Sequence, residues 1–260
     1  MSLTNAAILQ IAMEQSAIDA NCSPADFVRE EPVIVPSAAD PRARSYLELP
    51  FSCALISYGH NVVASIQEEY RSAVSHYLAH TSPAHCFETP NLHVLNHALE
   101  QKGQRLCFMS EYFLPDLKLL SPLSCPYPLR LLGPEDLGEL YLPEWSNALC
   151  EKRRALDILA VGAYDGGKLI GLAGCSADCQ NMWQIGIDVL PPYRKQGVAA
   201  CLTSRLARET LARGKVPFYC AAWSNLPSVR NALRCGFRPA WVELTARPFA
   251  VVDELNRPLL

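Results

Sequence analysis

The chain has 260 residues, half of them hydrophobic and 19% charged, with a formal net charge of −3. That composition can fill the core of one large domain or two ordinary ones, and it excludes a disordered chain. No run of 18 apolar residues occurs and the first residues lack a basic-then-apolar leader pattern, so a cytoplasmic chain without a membrane segment is expected.

Charge is divided unevenly. Residues 1–125 hold 7 Lys/Arg against 13 Asp/Glu, net −6, and residues 126–260 hold 16 against 13, net +3. A mildly basic second half suits a small polyanionic ligand and is too weak for nucleic acid. Eleven cysteines, odd in number, scattered and without a C-x-x-C, read as buried reduced thiols rather than a disulfide scaffold.

Taken in order, residues 4–20 carry apolar side chains at helical spacing, and Ser23-Pro24 caps a short helix over 24–29. Residues 30–48, rich in Pro, Ala and Asp, read as irregular. Phe51–Ser57 and Val62–Ser65 flank Tyr58-Gly-His-Asn61 as strand, turn and strand; helices at 66–79 and 90–102 and a strand at 104–112 follow. This α/β N-terminal domain is expected to span 1–124, closed by the Pro-rich stretch 117–128. All six histidines lie in it. His93 and His97, four apart on a helix, could face one metal, but no Glu follows His93; a solvated or partly buried helix face is the preferred reading, and no metal is expected.

In residues 125–260, Leu129–Leu132 reads as a strand, Pro134–Tyr141 as a helix begun by its proline, and Glu144–Arg154 as a second helical segment. Ile158–Tyr164 and Lys168–Ala177 form a hairpin around Asp165-Gly-Gly167. Ile185, Ile187 and Val189 alternate with Gly186 and Asp188, the period of a strand, which Pro191-Pro192 ends. A helix over 197–213, a strand over 216–223, a helix over 226–235 and a strand over 239–246 complete the chain.

The junction at Arg194-Lys-Gln-Gly197 points to chemistry. The first N–H groups of a helix lack internal partners and sit at the positive end of its dipole, and Gly197 admits close approach to the main chain. Such a turn suits a phosphate or diphosphate. Neither the dinucleotide nor the P-loop glycine pattern is present.

Arg194-Lys-Gln-Gly197-Val-Ala199 resembles the Arg/Gln-x-x-Gly-x-Gly/Ala pyrophosphate loop of the GNAT N-acetyltransferase superfamily. Asn225-Leu-Pro-Ser228, running on to Cys235-Gly236-Phe237, is similar to that family's Asn-x-x-Ala/Ser and Gly-Phe segment. The resemblance covers roughly residues 128–246, and the two motifs stand in family order about thirty residues apart. It implies an α/β (α+β) chain: a GNAT fold over 125–260, with a mixed, splayed sheet flanked by helices, plus the N-terminal α/β domain. In that fold strands 183–189 and 216–223 part, leaving main-chain groups of Ile187, Asp188 and Val189 free to pair with the amide-bearing arm of acetyl-CoA. Arg194, Lys195, Gln196, Gly197, Val198, Ala199, Asn225 and Ser228 are the further implied contacts. A two-part chain of this kind loosely resembles bacterial GNATs that acetylate amino compounds, antibiotics among them.

The implied reaction is direct attack of an amine on the acetyl thioester, which requires alignment, a proton acceptor and oxyanion stabilisation. Gln184, Gly186 and Asp188 share one strand face, so Asp188 is the first candidate base; Asp178, in the Cys175-Ser-Ala-Asp-Cys179 turn, is the second. The plainer readings are a carboxylate bound to backbone N–H groups for Asp188 and ordinary turn chemistry for Asp178. Two positions depart from the family: its tyrosine seven residues after the asparagine is Ala232 here, and its acid five residues before is Cys220. Tyr219 and Tyr193 could supply a phenol, and Cys175, Cys179 and Cys220 read as structural thiols for want of a basic neighbour. Trp145, Asn147, Tyr164 and Trp183 are further wall candidates, with core packing the plainer role of each tryptophan. The acidic N-terminal domain would suit a cationic amine if it formed a wall of the acceptor pocket.

Three readings stay open at this point: an N-acetyltransferase for a small amine, a non-catalytic CoA-binding or regulatory protein, and an interaction protein with an unused site. Amine-dependent release of CoA marks the first, stabilisation by CoA without turnover the second, and indifference to CoA the third. A homodimer is compatible with all three.

Overall fold

The computed structural model describes residues 3–257. The chain divides into two compact units, Ala12–Glu111 with Ala240–Leu260, and Met1–Ile11 with Tyr112–Pro239.

Chain order begins with α1 (Asn5–Ala20), β1 (Val33–Pro36), β2 (Cys53–Ser57), β3 (Val63–Ile66), α2 (Arg71–His80), α3 (Thr89–Glu100) and β4 (Gln104–Pro115). β1 lies in the stretch expected to be irregular. Its apolar run of three residues is too short for periodicity to reveal, and it becomes a strand by pairing parallel to β3. β3 pairs antiparallel to β2, and Leu55, Ile66, Tyr70, Val74, Leu95 and Leu99 form the core beneath. A polar knot lies in the same unit. The buried Arg44 binds Asp19 and Glu243, and Trp241 donates to Glu243 at 2.8 Å. Each buried charge thus has an opposite partner, which offsets its desolvation.

The other unit contains β5 (Leu129–Leu132), β6 (Asp157–Asp165), β7 (Lys168–Ser176), β8 (Met182–Val189), α4 (Val198–Ala212), β9 (Val216–Ala221) and α5 (Leu226–Arg234). β5, β6, β7 and β8 pair antiparallel in succession, and β9 joins β8 in parallel. Val198, Leu202 and Leu206 of α4 pack with Val161, Ile170 and Ile185 of the sheet. The two helices expected over 134–154 are short 3-10 turns instead, at Pro134–Asp136, Gly138–Leu140, Pro143–Trp145 and Glu151–Leu156. Pro134, Gly138 and Pro143 punctuate residues 134–143, where no α-helical ladder can propagate, whereas residues 144–154 contain neither proline nor glycine. Leu137, Trp145 and Leu149 still bury against Ala160 and Leu172, so Trp145 is a core residue.

β10 (Phe237–Pro248) begins in this unit and continues in the other, where Val242–Thr245 pair antiparallel with β2; α6 (Phe249–Asn256) follows.

The feature that makes a site is the parting of β8 and β9. Their ladder covers only Met182↔Val216, Trp183↔Pro217 and Gln184↔Phe218, whereas β8 stays paired with β7 from Gln184 to Val189. Beyond Gln184 one edge of β8 therefore has no neighbouring strand, as the GNAT resemblance implied.

Candidate binding cleft at the head of α4

A cleft of about 880 Å³ opens where β8 and β9 part, between the 194–200 turn and α5. The turn is shaped by two left-handed residues, Lys195 at φ 63° and Gly197 at φ 84°. Alternation of right- and left-handed residues gathers successive main-chain N–H groups into a concavity that suits anions. No side chain caps α4 at Gly197, and the first helical bond runs from Cys201 N to Gly197 O at 3.1 Å. The amides of Val198, Ala199 and Ala200 thus have no acceptor within their own helix, at the positive end of its dipole. Arg194, Lys195, Arg230 and Arg234 line the same cleft.

Around the turn the bonds are internal. Tyr127 Oη donates to Gln196 Oε1 at 2.9 Å, and Gln196 Nε2 donates to Pro192 O at 3.0 Å. Arg194 Nε donates to Val189 O at 2.9 Å. Of the eleven residues expected to contact the cofactor, ten line the cleft; Gln196 is the exception, its side chain being engaged in bracing the turn.

Asp188 lines the cleft, yet its carboxylate is already engaged. It accepts from Asn147 N at 2.8 Å, Asn147 Nδ2 at 2.7 Å and Ala148 N at 2.9 Å. The segment it pins lies directly on the sheet. A Cβ at Gly186 would stand 1.8 Å from Asn147 O, and one at Gly174 would stand 2.0 Å from Ala148 O. Gly174 and Gly186 are opposite partners in the β7–β8 ladder, so paired glycines form a trough for main chain. The three hydrogen bonds to Asp188 match its plainer reading, a carboxylate holding backbone N–H groups. Asp178, the second candidate, is buried, ion-paired with Arg153 and outside the cleft wall.

Several cleft residues escaped the sequence reading. Arg230 and Arg234 stand four apart on α5, a spacing that places both on one helix face and could have marked them. Tyr219, weighed only as a phenol source, is 2% exposed, lines the cleft and shares a 2.6 Å hydrogen bond with Ser228 Oγ. Burial pushes its phenol above the usual tyrosine range, partly offset by hydrogen bonds from Ser228 and Asn231. Asn225 Oδ1 accepts from Ser228 N at 3.3 Å and so caps α5. Gln184 Nε2 donates to Cys220 Sγ at 3.1 Å. All eleven cysteines are free; Cys175 is fully buried, and burial pushes its thiol up to about 12. Among the described residues no group of three or more His, Cys, Asp or Glu is placed to hold a metal ion, and no helix is long and apolar enough to cross a membrane.

The model of the GNAT acetyltransferase family matches residues 155–240. No curated protein sequence matches the chain. Among solved structures, a GNAT-family protein of Novosphingobium aromaticivorans is 22% identical over 55% of this chain and 66% of its own, with a TM-score of 0.42. A GCN5-related N-acetyltransferase-like protein of Streptococcus suis is 21% identical over 60% and 69%, with a TM-score of 0.44. A Drosophila protein covers 94% of this chain and 89% of its own at 12% identity and a TM-score of 0.48.

Proposed function

The chain belongs to the GNAT superfamily through residues 155–240, and from that premise we propose an acetyl-CoA-dependent N-acetyltransferase acting on a small amine. The observation that carries the proposal is the uncapped start of α4, which opens into a cleft lined by four cationic side chains and bordered by the unpaired edge of β8. Acetyl-CoA would supply an activated acyl thioester. The amides of Val198, Ala199 and Ala200 are suited to hold its diphosphate, with Arg230 and Arg234 offsetting the charge. The free edge of β8 at Ile187 is suited to an amide-bearing arm.

The charge of the cleft also bears on the acceptor. Asp188, the carboxylate in its wall, is spent on three donors, and four cations face the same space. Nearby positive charge disfavours an ammonium ion, so the cleft favours the neutral amine, the form able to attack. The catalytic part is proposed to lie within 125–260, because every cleft residue falls there.

The test is calorimetric titration of acetyl-CoA into the wild type and Gly197→Glu, followed by an amine library assayed for CoA release. Saturable binding lost in the variant, with amine-dependent release in the wild type, supports the proposal. A second reading, a CoA-binding protein without turnover, is favoured by Ala232 in the place of the family tyrosine and by the engagement of Asp178 and Asp188. It predicts the same binding and no release with any amine.

A further inference from the structure

Acyl transfer expels a thiolate, so a site for it benefits from a hydrogen-bond donor at the sulfur. On α5 the position where the family resemblance implies a phenol is Ala232, which is buried in the core, lies outside the cleft lining and has no polar group. A phenol arrives from a different element. Tyr219 lies on β9 past the last pairing with β8, its ring edge-on to Phe113 at 6.5 Å and tilted against Phe237 at 6.2 Å. Packing of that kind fixes the ring and leaves the hydroxyl as the polar end. Tyr219 Oη and Ser228 Oγ stand 2.6 Å apart, and both residues line the cleft. Ser228 is itself placed by its main-chain bond to Asn225 in the first turn of α5. Tyr193, the other tyrosine in the wall, is engaged with Asp165 at 3.0 Å.

We propose that Tyr219 is the hydrogen-bond donor to the departing sulfur, with the Ser228 hydroxyl donating in turn to Tyr219 Oη. This rests on the acyl-transfer reading above. The amine nitrogen's electron pair forms the new C–N bond, the C–S pair leaves on sulfur, and the proton shed by nitrogen passes to solvent. Tyr219 keeps its own proton throughout. A buried phenol is a weaker acid than an ordinary one, whereas a thiol ionises near 8.5, so the proton is more stable on oxygen than on sulfur. The hydroxyl therefore acts as a fixed dipole rather than as an acid.

The test needs no knowledge of the acceptor. The thiol of bound CoA is titrated by the ultraviolet absorbance of its thiolate in wild type, Tyr219→Phe and Ser228→Ala, with desulfo-CoA titrated alongside to report binding. In the wild type the bound thiol should ionise about one pKa unit below free CoA, and Tyr219→Phe should abolish that shift, about tenfold in the ionisation constant. Ser228→Ala should remove part of it, and desulfo-CoA should bind the wild type and Tyr219→Phe within about threefold, since the bond lost in Tyr219→Phe is to sulfur. Equal titration curves for wild type and Tyr219→Phe, with desulfo-CoA bound by both, would overturn this proposal and leave the acyl-transfer reading standing. Failure of the wild type to bind CoA at all would sink both.

Discussion

The two walls of the cleft treat their polar groups in opposite ways. On one wall the chain satisfies itself: Asp188 takes up the amides of Asn147 and Ala148, and Asn225 caps α5. On the other, α4 starts at Gly197 with no side-chain cap. Both helices bring their N-termini to one cleft, yet only one is closed. The difference teaches that a helix dipole alone does not make an anion site; the donors must also be left without a partner from the chain.

Damage to the closed wall should therefore cost stability, and damage to the open wall should cost binding. Gly186→Ala is the severest break. Its Cβ would meet Asn147 O at 1.8 Å, and neither the strand nor the crossing main chain can yield cheaply, so a loss of about 3 kcal/mol or more is expected in denaturant unfolding. Gly197→Glu attacks the open wall. It places an anion among the free amides and a side chain at φ 84°, so acetyl-CoA affinity should fall at least about 100-fold by calorimetry. The same change should cost about 1–2 kcal/mol of stability, read by thermal melting.

Asp188→Asn keeps the shape and removes the charge that grips residues 147–148. A destabilisation of about 2 kcal/mol is expected. The acidic limb of the pH–rate profile should stay where it is in the wild type; its disappearance would restore Asp188 as a base. Asn225→Ala is the mildest. Loss of the α5 cap should cost about 1 kcal/mol by melting, and CoA affinity should remain within about threefold. A large loss of affinity there would mean that the two walls are not as distinct as their hydrogen bonds suggest.

Legibility in the sequence followed the range of the interactions. The alternation of Ile185, Ile187 and Val189, the Pro191-Pro192 stop and the apolar spacing after Gly197 are local, and β8, the turn and α4 were read from them directly. The stretch 134–154 misled, because its apolar residues lie at helical intervals; Pro134, Gly138 and Pro143 confine its first half to 3-10 turns, and no such residue marks 144–154. β1 was missed because a run this short becomes a strand only through its neighbour β3. α6 was passed over although Phe249, Val252 and Leu255 keep a helical interval. The compact units part within α1, β4 and β10, whose continuous helix or strand character gives no mark of a division in the sequence.

By itself the sequence determined where a strand, a basic glycine turn and a helix would meet, since each depends on residues a few positions apart. Only the tertiary structure decided which donors and acceptors at that meeting would remain unclaimed. The partners of Asp188 lie 40 and 41 residues away, and the glycines beneath them matter only once another segment crosses. A hydrogen bond depends on position in space, and for these groups that position is set by the packing of the whole unit.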